Sequence, residues 1–300
     1  MQRIAFVVPW IGKLPNYFPL WLSTCKENST IDFLVFTDDK TEYQYPENVK
    51  VYYLEFSEIK KRFQSKYNFP IALDGPYKFC DFKPAYGELF AEELCGYDFW
   101  GHCDVDLLWG DIRSFITESI LDKYDRIYSR GHCILYRNAP EVNAWYRNLP
   151  NMGCQDYRTV FQTPKSCCFD EWAGHCGGGL SYIIQENGID CYDEPDMADI
   201  DLSKGYFKVH RWENQTDGIR FRYKNGKLFT QDKKTEREII YCHFQKRKIR
   251  IDENFDRNDF YLIAPGIVTS NPDARRKRKE EIRFQINYYL KLAKRYFKNK

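Results

Sequence analysis

Apolar runs and amphipathic spacing alternate along the first sixty residues. The runs at 4–9 and 31–37 predict buried strands, and the alternating segment 49–56 predicts a third. Between the first two runs, apolar residues recur at near-helical spacing from Phe18 to Cys25, which predicts a helix. This order of elements indicates the opening of a doubly wound α/β sheet.

Polar and aromatic residues follow the first two predicted strands. Pro9 and Trp10 end the first strand, and Asp38 and Asp39 follow the second. Open α/β sheets bind ligands beyond the carboxyl ends of their strands. These four residues are therefore candidate ligand-binding residues.

The rest of the chain continues with alternating strand and helix signals up to about residue 270. The predicted elements are a helix at 85–94 stopped by Gly96, a strand at 97–106, strands at 124–130 and 133–138, a helix ending at Asn187, a short strand at 189–192, a hairpin at Asn225-Gly226 and a strand at 237–243.

Composition narrows the class of protein. No run of about 18 apolar residues is present, so no membrane span is predicted. The first residues are too short an apolar stretch for a signal peptide. Eleven cysteines without paired CxxC spacing predict neither a zinc site nor a disulfide framework. Reduced thiols in a cytoplasmic protein are therefore expected.

Charge is concentrated at the end of the chain. Residues 275–300 carry eleven Lys and Arg against two Glu, a net charge of +9, which leaves −7 for the remainder of a chain with +2 overall. Apolar residues between these bases predict a basic amphipathic helix at 271–300, after a single domain at 1–270. Two interpretations stay open for this helix: peripheral contact with an anionic membrane, or packing on the domain. Nucleic acid is not the expected partner.

Asp104 and Asp106 stand one residue apart at the end of the predicted strand 97–106, after a mainly apolar run. Asp is expensive to bury unless it is paired. Mg²⁺ and Mn²⁺ prefer oxygen ligands and share them with substrate phosphates, and a bound cation lowers the pKa of adjacent carboxyls. This pattern predicts a divalent-metal site at the carboxyl edge of the sheet.

With its strand-helix-strand opening and this Asp-X-Asp motif, residues 1–250 resemble the GT-A glycosyltransferases, closest to bacterial enzymes of capsule, lipopolysaccharide or other surface polysaccharide synthesis. The resemblance implies a Rossmann-like mixed sheet flanked by helices and a nucleotide-sugar donor, expected to be a UDP-sugar. It also implies Mn²⁺ or Mg²⁺ bound by Asp104 and Asp106. In this family the first aspartate also contacts the donor.

Two further segments resemble donor-binding segments of these enzymes. "YCHFQKRK" is similar to their late His-containing segment, which implies His243 as third metal ligand and Lys246 as a diphosphate contact. "PYKFCDFKPAYGELF" is similar to the segment that contacts nucleobase and ribose, which implies Lys78, Asp81 and Lys83 as donor contacts. A satisfied core histidine and a solvated turn are the respective structural alternatives.

The segment "CCFDEWAGH" resembles the acidic pair near the acceptor in many GT-A enzymes. The resemblance implies Asp170, with Glu171 close behind, as the general base that deprotonates an acceptor hydroxyl. An acidic pair that caps a helix is the structural alternative. The chain has no Gln-X-X-Arg-Trp acceptor signature, which leaves the stereochemical outcome open.

The resemblance therefore implies a metal-dependent hexosyltransferase with a saccharide or lipid-linked acceptor, expected in the cytoplasm at the inner face of the membrane. One alternative is a nucleotidyltransferase, which also needs paired Asp and Mg²⁺ and predicts a third acid on a neighbouring strand. A non-catalytic binding module driven by the basic tail is the other alternative.

Overall fold

The computed structural model describes residues 1–172, 177–210, 212, 219–231, 235–245, 247–271 and 277–298. These form two compact units. The first unit comprises residues 1–15, 29–105 and 116–194. The second comprises residues 16–28, 106–115 and 195–300. The predicted boundary at residue 270 stays a prediction.

The strands are, in chain order, β1 (Ile4–Trp10), β2 (Ile31–Thr37), β3 (Val49–Tyr53), β4 (Phe99–Cys103), β5 (Leu107–Trp109), β6 (Arg126–Arg130), β7 (Cys133–Arg137), β8 (Ala198–Asp199), β9 (Arg220–Lys224), β10 (Lys227–Gln231), β11 (Glu236–Ile239), β12 (Tyr241–His243), β13 (Arg250–Ile251), β14 (Asp259–Ile263) and β15 (Ile267–Thr269).

The helices are α1 (Phe18–Lys26), α2 (Phe56–Gln64), α3 (Phe79–Phe82), α4 (Tyr86–Leu89), α5 (Ile112–Phe115), α6 (Glu118–Lys123), α7 (Pro140–Asn143), α8 (Trp145–Asn148), α9 (Tyr157–Gln162), α10 (Leu180–Glu186) and α11 (Lys277–Lys298), with 3-10 turns at Pro76–Lys78 and Lys83–Ala85.

The first unit is built on a mixed sheet with strand order β3-β2-β1-β4-β7-β6. The first four strands are parallel, and β7 runs antiparallel to both β4 and β6. Buried apolar residues on β1, β2 and β4 pack against short helices such as α3 and α4. The carboxyl ends of β1, β2 and β4 and the β6–β7 turn consequently meet at one edge of the sheet.

The second unit holds two sheets, of order β11-β10-β9-β14-β15-β13 and β5-β12-β8. Asn28 connects the end of α1 to the segment after β5. Its Nδ2 donates to Gly110 O at 2.9 Å, and its Oδ1 accepts from Ile112 N at 2.9 Å. In the smaller sheet, β12 lies between antiparallel β5 and parallel β8.

The predicted α/β class and mixed sheet are confirmed, as are the helix α1, the hairpin at Asn225-Gly226 and a C-terminal helix. Both hairpin residues have positive φ, 49° and 80°, as the tight turn requires. All ten cysteines in the described part of the chain are free thiols. Among the described residues, no helix combines the length and the apolar character that a membrane span requires.

Five element predictions need correction. The strand predicted at 97–106 is confined to Phe99–Cys103, so Asp104 and Asp106 lie beyond its end. The third strand ends at Tyr53 because Glu55 and Glu58 form a capping box that starts α2. The helix predicted at 85–94 is confined to Tyr86–Leu89. The strand predicted at 189–192 is a single bridge from Tyr192 to β6. The strand predicted at 237–243 divides between two sheets, because Ile240 bonds through its N–H to Asp196 O.

Gly101 on β4 has no room for a side chain. A Cβ there would lie 2.5 Å from Ile134 O and 3.0 Å from the Phe6 ring. We expect Gly101→Ala to lower the free energy of unfolding by about 1–3 kcal/mol through overpacking, measured by urea denaturation. Gly75→Ala is the control, because a Cβ at Gly75 meets nothing within 4 Å. Equal unfolding midpoints for the two variants would contradict the expected overpacking.

Candidate active site

Lys83 joins three segments of the first unit at the carboxyl edge of its sheet. Its Nζ lies 2.9 Å from Asp104 Oδ1, 2.6 Å from Gly131 O and 3.3 Å from Asp170 Oδ2. Asp104 follows β4, Gly131 lies in the β6–β7 turn, and Asp170 lies between α9 and α10. We call these four residues the lysine cluster.

Burial and charge determine the protonation of the cluster. Burial raises the pKa of Asp170 to about 7, with Lys83 opposing the rise and the charges of Glu171 and Asp104 adding to it. Burial alone would lower the pKa of Lys83, but Asp104 and Asp170 hold it well above its usual value. The Asp104 side chain is 36% exposed, whereas that of Asp170 is 4% exposed. Asp104 is therefore the more accessible of the two carboxylates.

Because Gly131 has no side chain, Asp170 and Glu171 can lie close to the β6–β7 turn. A Cβ at this position would lie 2.5 Å from Asp170 Oδ2 and 2.7 Å from Glu171 Cγ. The turn is also bonded to the end of β4, since Asp104 N donates to His132 O at 2.9 Å. Glycine is thus required sterically for the close contact between the turn and Asp170.

Asp81 fixes the segment that carries Asp170. Its carboxylate accepts from the backbone N–H groups of Cys167, at 2.9 and 3.1 Å, and of Phe169, at 3.0 Å. The Nζ of Lys78 donates to Asp81 at 2.6 Å and to the carbonyl oxygens of Val160 and Lys165, both at 2.9 Å. Lys78 and Asp81 are buried, and these bonds engage both side chains within the protein. We call this arrangement the Asp81 latch.

Asp38 and Asp39 hold the loop that follows β1. Asp38 Oδ1 accepts from Gly12 N at 2.7 Å, and Asp39 Oδ2 accepts from Leu14 N at 2.8 Å. Hydrogen bonds, first from the Thr41 hydroxyl and then from the Leu14 backbone, lower the pKa of Asp39. Pro9 and Trp10, at the end of β1, lead into this loop.

A second polar group lies in the smaller sheet of the second unit. The Nδ1 of His243 is 2.8 Å from Asp199 Oδ1, and its Nε2 is 3.5 Å from Asp106 Oδ1. Gln245 Nε2 also donates to Asp199 Oδ1, at 2.7 Å. Burial would lower the pKa of His243, but Asp106 and Asp199 raise it to about 10. We call these four residues the histidine cluster.

Strand pairing builds the histidine cluster. In the parallel pair of β12 and β8, His243 stands opposite Asp199. In the antiparallel pair of β12 and β5, His243 stands opposite Leu107, the residue after Asp106. Asp106 O also accepts from Phe244 N at 3.1 Å, which closes this end of the ladder.

Sequence reasoning missed Asp199 and Gln245. Asp199 stands in "DMADID", where several acids occur without an apolar run to single one out, and only the β8–β12 pairing identifies it. Glu171, predicted beside Asp170, is exposed. Lys246 lies outside the described residues.

Residues 6–272 match the model of a family described as "Family of unknown function (DUF6625)". The chain belongs to this family. No curated protein matches this DUF6625 chain.

Glycosyltransferases are among the solved structures that are similar to the DUF6625 chain. The galactosyltransferase LgtC, in complex with donor and acceptor sugar analogs, is 12% identical, with 65% of this chain and 75% of that chain covered and a TM-score of 0.36. Mouse xyloside xylosyltransferase 1 is 8% identical, with 67% and 87% covered and a TM-score of 0.38.

A third similar structure is the glycosyltransferase GlyE of Streptococcus pneumoniae TIGR4, at 10% identity and a TM-score of 0.34. The match covers 65% of the DUF6625 chain and 45% of the GlyE chain.

The raised pKa of Asp170 predicts a pH dependence of stability for this DUF6625 protein. A carboxyl whose pKa is about 7 in the folded protein, against an ordinary value of 3.8, stabilises the fold in its protonated form. Its contribution is full below the unfolded pKa and is lost as the pH rises through 7. We expect Asp170→Asn to gain stability relative to the wild type between about pH 4 and pH 7.

Urea unfolding at several pH values measures this difference. Asp74→Asn is the control, since the Asp74 side chain is 64% exposed. Parallel pH profiles for the wild type and Asp170→Asn would show that Asp170 ionises normally in the folded protein.

Proposed function

We propose that this chain is a metal-dependent glycosyltransferase of the GT-A type. It would move a sugar from a nucleotide donor, a UDP-sugar, to a saccharide or lipid-linked saccharide. The segment Asp104-Val105-Asp106 carries the proposal, because its first carboxylate belongs to the lysine cluster and its second to the histidine cluster. Two residue steps separate these aspartates, so their Cα atoms are at most about 7 Å apart.

The donor atoms in the histidine cluster fit a divalent cation. Asp106 offers a carboxylate oxygen and His243 an imidazole nitrogen, both ligand types that Mn²⁺ accepts. Asp199 on the far ring nitrogen completes the carboxylate–histidine arrangement that orients imidazoles in metal sites. Asp104, Asp106 and His243 would hold Mn²⁺ or Mg²⁺, which when bound neutralises charge on the donor diphosphate.

The lysine cluster would serve both the donor and the acceptor. Asp104, its more accessible carboxylate, would contact donor and metal, with Lys83 holding it in place. Asp170 would take the proton of the acceptor hydroxyl, because a pKa of about 7 suits a general base near neutral pH. In this proposal the Asp81 latch positions Asp170, and the donor contacts expected from Lys78 and Asp81 stay a prediction.

The remaining donor contacts complete the proposal. Pro9 and Trp10, with the loop held by Asp38 and Asp39, would border the nucleotide, and Lys246 would bind the diphosphate. Surface polysaccharide synthesis, of capsule or lipopolysaccharide, is the proposed role, carried out in the cytoplasm at the inner face of the membrane.

Calorimetry with UDP-sugars and Mn²⁺ tests the donor site. We expect binding that requires Mn²⁺ and is lost in Asp106→Ala and His243→Ala, because each variant removes a ligand. Asp199→Asn should keep the site but lower metal affinity by about 10–100-fold. Metal binding should also release a proton near neutral pH, because His243, with a pKa of about 10, must lose its proton to bind.

Two results would count against this donor site. One is UDP-sugar affinity that does not change in Asp106→Ala. The other is metal-dependent release of pyrophosphate from nucleoside triphosphates without sugar transfer. The second result would favour a nucleotidyltransferase, for which Asp199, on the strand next to that of His243, is the candidate third acid.

Asp170→Asn tests the general base. The variant should keep donor and metal affinity but lower turnover by about 10²–10⁴-fold, because it cannot accept the acceptor proton. Wild-type turnover should rise with pH through about 7, since the ionised carboxylate is the active form. The matched variant Glu171→Gln separates the two acids. An equal loss there alone would assign the role to Glu171, and full activity in both would leave the pair a structural role.

A further inference from the structure

Helix α11 carries an apolar face that points to solvent. Ile282, Ile286, Tyr289 and Leu290 are 52%, 55%, 50% and 54% exposed. Their spacing places all four on one side of the helix. We call these four residues the apolar stripe. Four large apolar side chains, each at least half exposed on one side of a helix, are typical of a surface that binds a partner.

The helix is attached to its own unit by a different face. The Phe284 ring lies 4.4 Å from the Arg247 guanidinium carbon, and Arg247 is 2% exposed. Arg247 Nη2 in turn donates to the carbonyl oxygens of Asp201, at 2.6 Å, and Lys204, at 3.0 Å. Phe284 follows Ile282 by two residues, which places it about 200° around the helix axis. Docking through Phe284 therefore directs the stripe outwards.

Charge next to the stripe selects the kind of partner. Lys279, Arg283 and Lys294 are exposed and lie along one edge of the stripe. The sequence of α11 contains eight Lys and Arg against two Glu. A second copy of the helix would bring these like charges together, whereas anionic headgroups would neutralise them. Apolar residues beside lysine and arginine are also the composition of helices that lie in a membrane interface.

We infer that α11 lies on an anionic lipid surface, with the apolar stripe inserted at the boundary of the acyl chains and the basic edge on the headgroups. This inference does not depend on the proposed sugar transfer. It assigns one face of the helix to the protein and another to lipid, so the two interpretations of the basic tail describe different faces of one helix.

Co-sedimentation of the full-length protein with vesicles tests the inference. Binding should be stronger to vesicles of phosphatidylglycerol and phosphatidylcholine than to phosphatidylcholine alone, and should weaken with added salt. The double variant Ile286→Ser with Leu290→Ser should lower the partition coefficient about 30-fold. It removes two apolar side chains whose exposed halves would be buried in lipid. Arg283→Gln with Lys294→Gln should lower it by a similar factor on anionic vesicles only.

Met152→Ser is the control, since Met152 is 46% exposed but lies in the first unit. Circular dichroism and thermal melting check that each variant folds. The comparison of the two vesicle types uses the wild type alone, so it tests the inference even if a variant does not fold. Equal binding to both vesicle types, or wild-type binding by the stripe variant, would overturn the inference. So would a wild-type dimer that the stripe variant breaks without vesicle binding, or binding of an RNA oligonucleotide in place of vesicles.

Discussion

The ammonium of Lys83 is the charge on which the arrangement of the first unit's site depends. It lies between two carboxylates, Asp104 and Asp170, and a backbone carbonyl, that of Gly131. Without it, the Asp170 carboxyl, whose side chain is 4% exposed, would lose the cation that lies 3.3 Å from it. Removing one partner of a buried ion pair typically costs about 3–5 kcal/mol. Three chain segments distant in sequence thus share one electrostatic requirement.

The histidine cluster depends on strand register instead. His243 meets Asp199 because β12 pairs in parallel with β8, and it meets Asp106 because β12 pairs antiparallel with β5. A slip of one residue on either side would turn the imidazole to the opposite face of the sheet. Here hydrogen bonding between backbones, rather than attraction between charges, determines which side chains come together.

The α/β class and the central strands could be predicted from sequence, because continuous apolar runs such as Ile4–Trp10 have one simple interpretation. The short elements could not, because their limits depend on single bonds such as those of the Glu55 capping box. For the site, the apolar run before Asp104 and Asp106 drew attention to a segment whose two carboxylates have charged partners in the structure, Lys83 and His243. The spacing of Lys78 and Asp81 suggested one shared ligand, but only tertiary structure shows that these two residues bind one another and the backbone. Asp199 depends on a pairing between distant strands, which local pattern does not contain.

The Asp81 latch has a consequence for how a ligand would meet Asp170. Backbone N–H groups at Cys167 and Phe169 are bonded to a buried carboxylate of the protein itself. Fixing the backbone of a mobile residue costs about 1–2 kcal/mol, and a loop that orders only on binding deducts that cost from its affinity. The segment 167–169 becomes ordered during folding through these bonds, so in the proposed reaction an acceptor hydroxyl would meet a carboxyl whose position is already fixed.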